Sequence, residues 1–154
     1  MVAHKILTMF DNPIEIYKSI NRFAQENGMV LDVKTPGESV YKMTILEKHL
    51  SSPNVCHGGV VAGFMDSVLG SAALSVSFIS GALVSTVEFK LNYFKPIFLG
   101  NELLGKGTVK RHGKSFIVAT AEIFRGEELV AIGQGTFNIY PLEKRTMIKD
   151  EIKH

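Results

Sequence analysis

The sequence predicts an α+β fold in which an antiparallel sheet curls around one long buried helix. Three features carry that expectation. From Gly58 to Val87 a single charged side chain, Asp66, stands in an otherwise neutral, apolar or small-residue run, and a helix apolar on most faces has to be covered on most faces. Downstream the pattern switches to period two: Val87, Phe89, Leu91 and Tyr93 alternate with Glu88, Lys90 and Asn92, as in a half-buried strand. The later connections, His112-Gly113-Lys114 and Arg125-Gly126-Glu127, are short and glycine-bearing, and turns of that length join antiparallel neighbours.

The elements follow in order. Asn12-Pro13-Ile14-Glu15 reads as a helix start, with Asn as N-cap and Pro at the first helical position. Ile16, Tyr17, Ile20, Phe23 and Ala24 then share a stripe that Gly28 ends, giving a helix over about 12–27. Strands are expected over 29–34 and 38–47, joined by Thr35-Pro36-Gly37; in the second, Tyr41, Met43 and Ile45 alternate with Lys42 and Thr44. After a turn at Ser51-Ser52-Pro53-Asn54 the long helix covers about 57–79, with Gly63, Gly70 and Ala73 on roughly one side, where another backbone can approach closely. A strand from Val87 stops before Pro96, and further strands cover 102–111, 115–124 and 128–140. No repeat or linker divides the chain, so 1–154 is expected to be one domain with its core over about 38–140 and a charged, fraying tail over 141–154.

Composition narrows the function classes. With 45% hydrophobic and 21% charged residues the chain has the make-up of an ordinary globule. Seventeen Lys and Arg against 15 Asp and Glu leave a net charge of +2, which gives no electrostatic case for nucleic acid. The one cysteine excludes an intrachain disulfide and fits a reducing, cytoplasmic setting. The opening apolar run is too short for a signal peptide. The uncharged stretch over 67–87 is long enough to span a bilayer, but its serines and glycines, the abutting Asp66 and the lack of a Lys/Arg cluster before it argue against membrane insertion.

The chemistry concentrates where the long helix opens. Cys56-His57-Gly58-Gly59 is a small-residue turn. The first N–H groups of a helix have no intrahelical acceptor and favour negative charge, so Gly58 offers an oxyanion hole for a carbonyl under attack. Asp66 is the matching general base or nucleophile. The two stand eight positions apart, about 12 Å along a helix at 1.5 Å per residue, so one carbonyl cannot touch both on the same chain. Two such helices, antiparallel across a two-fold axis, bring Gly58 of one subunit to Asp66 of the other. A homodimer with shared sites and an inactive monomer is therefore expected. Plainer roles exist beside these: a structural acid at Asp66, a tight turn at His57, Gly58 and Gly59, and small apolar filler at Cys56. The five histidines lack ligand spacing, so no metal is expected. No dinucleotide or phosphate-loop glycine pattern is present, so no cofactor is expected either.

Three stretches in order carry a family resemblance: residues 57–66, from His57-Gly58-Gly59 to Asp66; residues 85–96, from Ser85 to Pro96; and Ala131-Ile132-Gly133-Gln134-Gly135-Thr136-Phe137. In these the chain resembles hotdog-fold acyl-CoA thioesterases of the phenylacetyl-CoA (PaaI-like) type. The resemblance implies a long helix wrapped by a curved sheet, dimers with sites at the interface, and commonly homotetramers. It implies hydrolysis of acyl-CoA to a free acid and coenzyme A, with Asp66 as general base or nucleophile, the Gly58 N–H polarising the carbonyl and His57 ordering the turn. Ser85, placed by alternation on the face of Val87 and Phe89, is expected to orient the attacking water. Relatives of this type often carry an Asn six residues before the His, where this chain has Ser51; Asn54 or Ser52 is the candidate substitute, beside Gly59, for contacting the substrate. Lys106, Lys110, Arg111, His112 and Lys114 gather on one hairpin and are candidates for the coenzyme A phosphates, or else a solvated turn; Lys95 is a further candidate for contacting the substrate. Phe64, Met65, Phe78, Phe89 and Phe94 are candidates for the acyl pocket. A non-catalytic acyl-CoA sensor on the same fold and a hotdog enoyl-CoA hydratase are the rival functions.

Overall fold

The structure, a computed structural model, describes residues 13–142; the expected cap at Asn12 and most of the charged tail lie outside them. Where one N-terminal helix is predicted there are two, α1 (Pro13–Ile20) and α2 (Arg22–Glu26). The break is chemical. The Asn21 side chain accepts from the Ala24 N–H at 3.0 Å and donates to the Tyr17 hydroxyl at 2.7 Å, so Asn21 restarts the helix as an N-cap instead of continuing it. Gly28, at φ 64°, turns the chain out of α2.

The strands that follow are β1 (Val30–Asp32), β2 (Glu38–Thr44), β3 (Leu50–Ser52), β4 (Val55–Cys56), β5 (Ala82–Tyr93), β6 (Glu102–His112), β7 (Phe116–Arg125) and β8 (Glu128–Pro141). Six form one antiparallel sheet in the order β1-β2-β6-β7-β8-β5, and β3 with β4 makes a separate small hairpin. The alternation of β2 is as expected, with Tyr41 and Met43 buried and Lys42 and Thr44 exposed. The first strand is shorter than its predicted span. β5 starts at Ala82, five residues before the alternation that announced it.

The long helix, α3 (Gly58–Ser77), continues as a 3₁₀ turn over Phe78–Ser80. It packs against β2, β5, β6, β7 and β8. Val61, Phe64, Met65, Val68, Leu69 and Ala73 are among its buried residues, and each fully buried large side chain there contributes roughly 1.5–3 kcal/mol. The buried Ser71, Ser75 and Ser77 hydroxyls donate to carbonyls three residues back, which removes the cost of burying them. By composition Gly58–Ser80 is apolar enough to cross a bilayer, with mean hydropathy 1.5, yet 56% of that window is buried inside the fold. Here the sheet covers the helix as lipid otherwise would.

Close backbone approach occurs from the sheet side. A Cβ on Gly107 would come 2.6 Å from the Val68 carbonyl oxygen, and one on Gly105 would come 2.4 Å from Val68 Cγ2. On α3 itself the expected small-residue side receives side chains: the Phe23 ring lies over Gly63, and Ala73 is core.

Candidate active site

The site is built from the N-terminus of α3 outwards. His57 is the N-cap, in extended backbone conformation (φ −66°, ψ 132°), and its Nδ1 accepts from the Gly59 N–H at 2.8 Å. With Nδ1 accepting, the ring proton sits on Nε2. Gly58 is the first helical residue, so its N–H has no intrahelical acceptor, while its carbonyl accepts from the Tyr93 hydroxyl at 2.7 Å. His57, Gly58 and Gly59 form an exposed turn in which the His57 N–H donates to the His49 carbonyl at 2.8 Å, so the Gly58 N–H is the open one. Cys56, beside them, is buried and its thiol is pushed up in pKa by that burial, which suits filler and not a thiolate nucleophile.

Two turns along the helix, Asp66 is half-buried and accepts from the Thr86 hydroxyl at 2.8 Å. Alternation placed Ser85 on the face of Val87 and Phe89, and a bulge changes that face. Thr86 pairs with Phe137 and Glu88 with Thr136, leaving Val87 as the extra residue of a β-bulge. Such a bulge shifts the side chains before it to the other face relative to those after it. Thr86 therefore shares the helix-facing side with Phe137, and Ser85 pairs with Asn138 on the other side, at the border of the same cavity. Nothing in the sequence marked the bulge, so Thr86 was not legible.

Asp66 and Thr86 stand at one end of a cavity of about 730 Å³. Its floor is α3, one wall is β5 and β8, and α1 roofs it with Ile16, Tyr17 and Ile20. The roof is anchored: the Tyr17 hydroxyl accepts from Asn21 Nδ2 and is hydrogen-bonded with buried Tyr41. Burial raises the Tyr17 pKa, with the Asp66 charge pushing the same way and the two hydrogen bonds opposing. The phenol is therefore a neutral wall beside the carboxylate.

The other candidate residues lie as follows within one subunit. Asn54 has φ 70° at the turn of the β3–β4 hairpin, a left-handed position that Asn tolerates, and its carbonyl accepts from Leu99 N; that turn accounts for the residue. Ser51 and Ser52 are exposed on the same hairpin. Lys95 lies by Gly58, in a small cleft it shares with Cys56 and Tyr93, and pairs with Glu128 at 3.7 Å. Lys110, Arg111 and Lys114 sit at the β6–β7 hairpin, level with the row Ile117, Phe137, Thr86. Tyr93 is seven residues from that row, about 20 Å along a strand. Within one subunit the hairpin cations and Lys95 thus lie towards opposite ends of the sheet strands. Of the expected acyl-pocket aromatics, Phe78 lines the large cavity and Phe94 the small cleft; Phe64 and Met65 are fully buried core, and Phe89 packs on that core. Among the described residues no group of three His, Cys, Asp or Glu is placed to hold a metal ion.

A long helix covered by one antiparallel sheet is the architecture of the hotdog-fold thioesterases. The comparisons agree: residues 53–132 match the Thioesterase superfamily, and the chain belongs to that family. It is similar to human acyl-coenzyme A thioesterase 13, with 25% identity over 100 residues that cover 65% of this chain and 70% of that one. In fold it is similar to the Escherichia coli PaaI protein of the phenylacetic acid degradation operon, with TM-score 0.76, 22% identity and coverage of 82% and 90% of the two chains. It is also similar to a conserved protein of Pseudomonas aeruginosa, with TM-score 0.72, 28% identity and coverage of 79% and 95%.

Proposed function

We propose that the protein hydrolyses acyl-CoA thioesters to a carboxylic acid and coenzyme A, at sites shared by two subunits. The observation that carries this reading is the Asp66 carboxylate, held by Thr86 at 2.8 Å and facing the cavity. As general base, Asp66 takes a proton from water as its oxygen adds to the thioester carbon; the C–S bond then breaks and the proton passes to the leaving thiolate. As nucleophile, the carboxylate itself adds, coenzyme A leaves, and water hydrolyses the resulting anhydride. In either case the carbonyl oxygen takes up negative charge, which the N–H of Gly58 of the partner subunit stabilises. His57 keeps that turn in shape, and Lys95 beside it is the cation closest to hand for the coenzyme A phosphates.

Support for the dimer comes from the sheet edge. β5 runs 12 residues with β8 as its neighbour on one side, and Val87 on it is 55% exposed. A long edge with an exposed apolar residue is a template for pairing with another chain. Pairing of β5 with its copy across a two-fold axis sets the two α3 helices antiparallel on one face, and a tetramer is a further pairing of such dimers.

Two variants test the shared site. Asp66→Asn should lower turnover on acyl-CoA by about 10²- to 10⁴-fold. Gly58→Pro removes the N–H at a helix position where proline is tolerated, and the extended backbone of His57 accommodates a following proline. Each variant alone should be nearly inactive. Unfolded and refolded together in equal amounts, they should recover about a quarter of wild-type activity, because half of the random dimers carry one intact site of two. No recovery, with dimers formed, would place both groups' work within one subunit.

A further inference from the structure

We propose that the cavity beside Asp66 is a groove for a linear acyl chain and that Gly70 is the residue that keeps it open, so that the substrates are thioesters of unbranched fatty acids. This rests on the acyl-CoA hydrolase reading above and adds the substrate class and the position that sets it.

Asp66, Gly70, Leu74 and Phe78 all line the cavity. Their spacing of four places them on one face of the helix, and that face is the floor of the groove. Asp66 and Phe78 are twelve positions apart, about 18 Å at 1.5 Å per residue. An extended chain advances about 1.2 Å per bond, so the floor accommodates an acyl group of up to about 14 carbons. β5 turns back along it: Thr86 meets Asp66 at one end, and Leu83 lines the cavity nearer the other. The roof of α1 adds Ile16 and Ile20. Polar groups gather at the Asp66 end, and beyond Gly70 the floor is hydrocarbon. A phenylacetyl group would fill only the first part of such a groove.

Close packing does not account for Gly70. Glycine weakens a helix interior relative to alanine, and here packing does not demand it: a Cβ would meet only Phe137 Cε1, at 3.4 Å, an ordinary contact. A larger side chain at this position, one turn or about 6 Å past Asp66, would lie across the path of any acyl chain longer than about 5 carbons.

The test measures thiol release by the full chain from acetyl- to hexadecanoyl-CoA and from phenylacetyl-CoA, with calorimetric binding of dodecanoate as a second readout. kcat/KM should rise about two- to fourfold per methylene and level off near 12 to 14 carbons. Gly70→Leu should lower the ratio of dodecanoyl to butanoyl kcat/KM at least tenfold and weaken dodecanoate binding by a similar factor; Gly70→Ala, which the helix favours, should move both in the same direction by less. Preference for phenylacetyl-CoA over dodecanoyl-CoA, or a chain-length profile untouched by either Gly70 variant, overturns the groove while leaving the hydrolase reading intact. Hydrolysis of no acyl-CoA overturns the hydrolase reading, and the dodecanoate binding data then decide the groove separately: binding that Gly70→Leu weakens supports it, and absence of binding overturns it.

Discussion

The two halves of α3 are treated differently by the rest of the fold. Its second half is locked. The Ser75 hydroxyl accepts from the Gly37 N–H at 2.8 Å, the Ser39 hydroxyl donates to the Val68 carbonyl at 2.9 Å, and Gly105 and Gly107 let the sheet press on Val68. The first half carries the open turn: Gly58 and Gly59 are exposed, and Asp66 heads the cavity whose floor runs on through Gly70 and Leu74. Stability is concentrated where backbone and side chain are interlocked. The proposed chemistry falls where the same helix offers the Gly58 N–H and one carboxylate.

Substitutions that separate activity from stability can break this contrast. The largest expected effect is that of Asp66→Asn, a 10²- to 10⁴-fold loss of turnover with a melting temperature close to wild type, measured by thiol release and by thermal unfolding. Loss of fold along with activity would mean that the open half also holds the structure. In the locked half, Gly105→Ala forces a methyl to within 2.4 Å of Val68 Cγ2 and should cost about 1–3 kcal/mol in denaturant titrations, with turnover per folded molecule preserved. Thr86→Val removes the hydroxyl from Asp66 without changing shape, and kcat should drop roughly tenfold with little change in KM, as for a lost hydrogen bond to a charged group. An equal effect of Ser85→Ala would contradict the bulge geometry.

The smallest effect concerns pH. His49 is buried, its Nδ1 accepts from Leu46 N and its Nε2 is 3.0 Å from Asn27 Oδ1, and desolvation holds its pKa below the ordinary value. A histidine kept neutral by the fold contributes stability above its unfolded pKa of about 6.5, and that stability is lost as pH falls from there through the folded value. The melting temperature should therefore decline between about pH 7 and 5, and less steeply in His49→Gln.

Much of this was legible in the chain. Tyr41, Met43 and Ile45 announced a half-buried strand, the neutral run after Gly58 announced a buried helix, and Asp66 stood out because nothing near it in sequence shared its charge. The small-residue turn that opens the helix was readable at His57-Gly58-Gly59, but not that the His57 ring caps it. Other features were not. The split at Asn21 depends on a hydrogen bond to Tyr17 that competes with helix continuation.

What the sequence determined alone was set by periodicity and short turns: the six strands of the main sheet, the covered helix, and the lone acid after the glycine turn. Tertiary structure decided which residue meets that acid. Residue spacing along one strand does not encode where its partner strand inserts a bulge, and a shift of a single residue at Val87 exchanges Ser85 for Thr86. The cavity under α1 was likewise invisible, because its walls come from segments far apart in the chain that meet only once the sheet has closed around the helix.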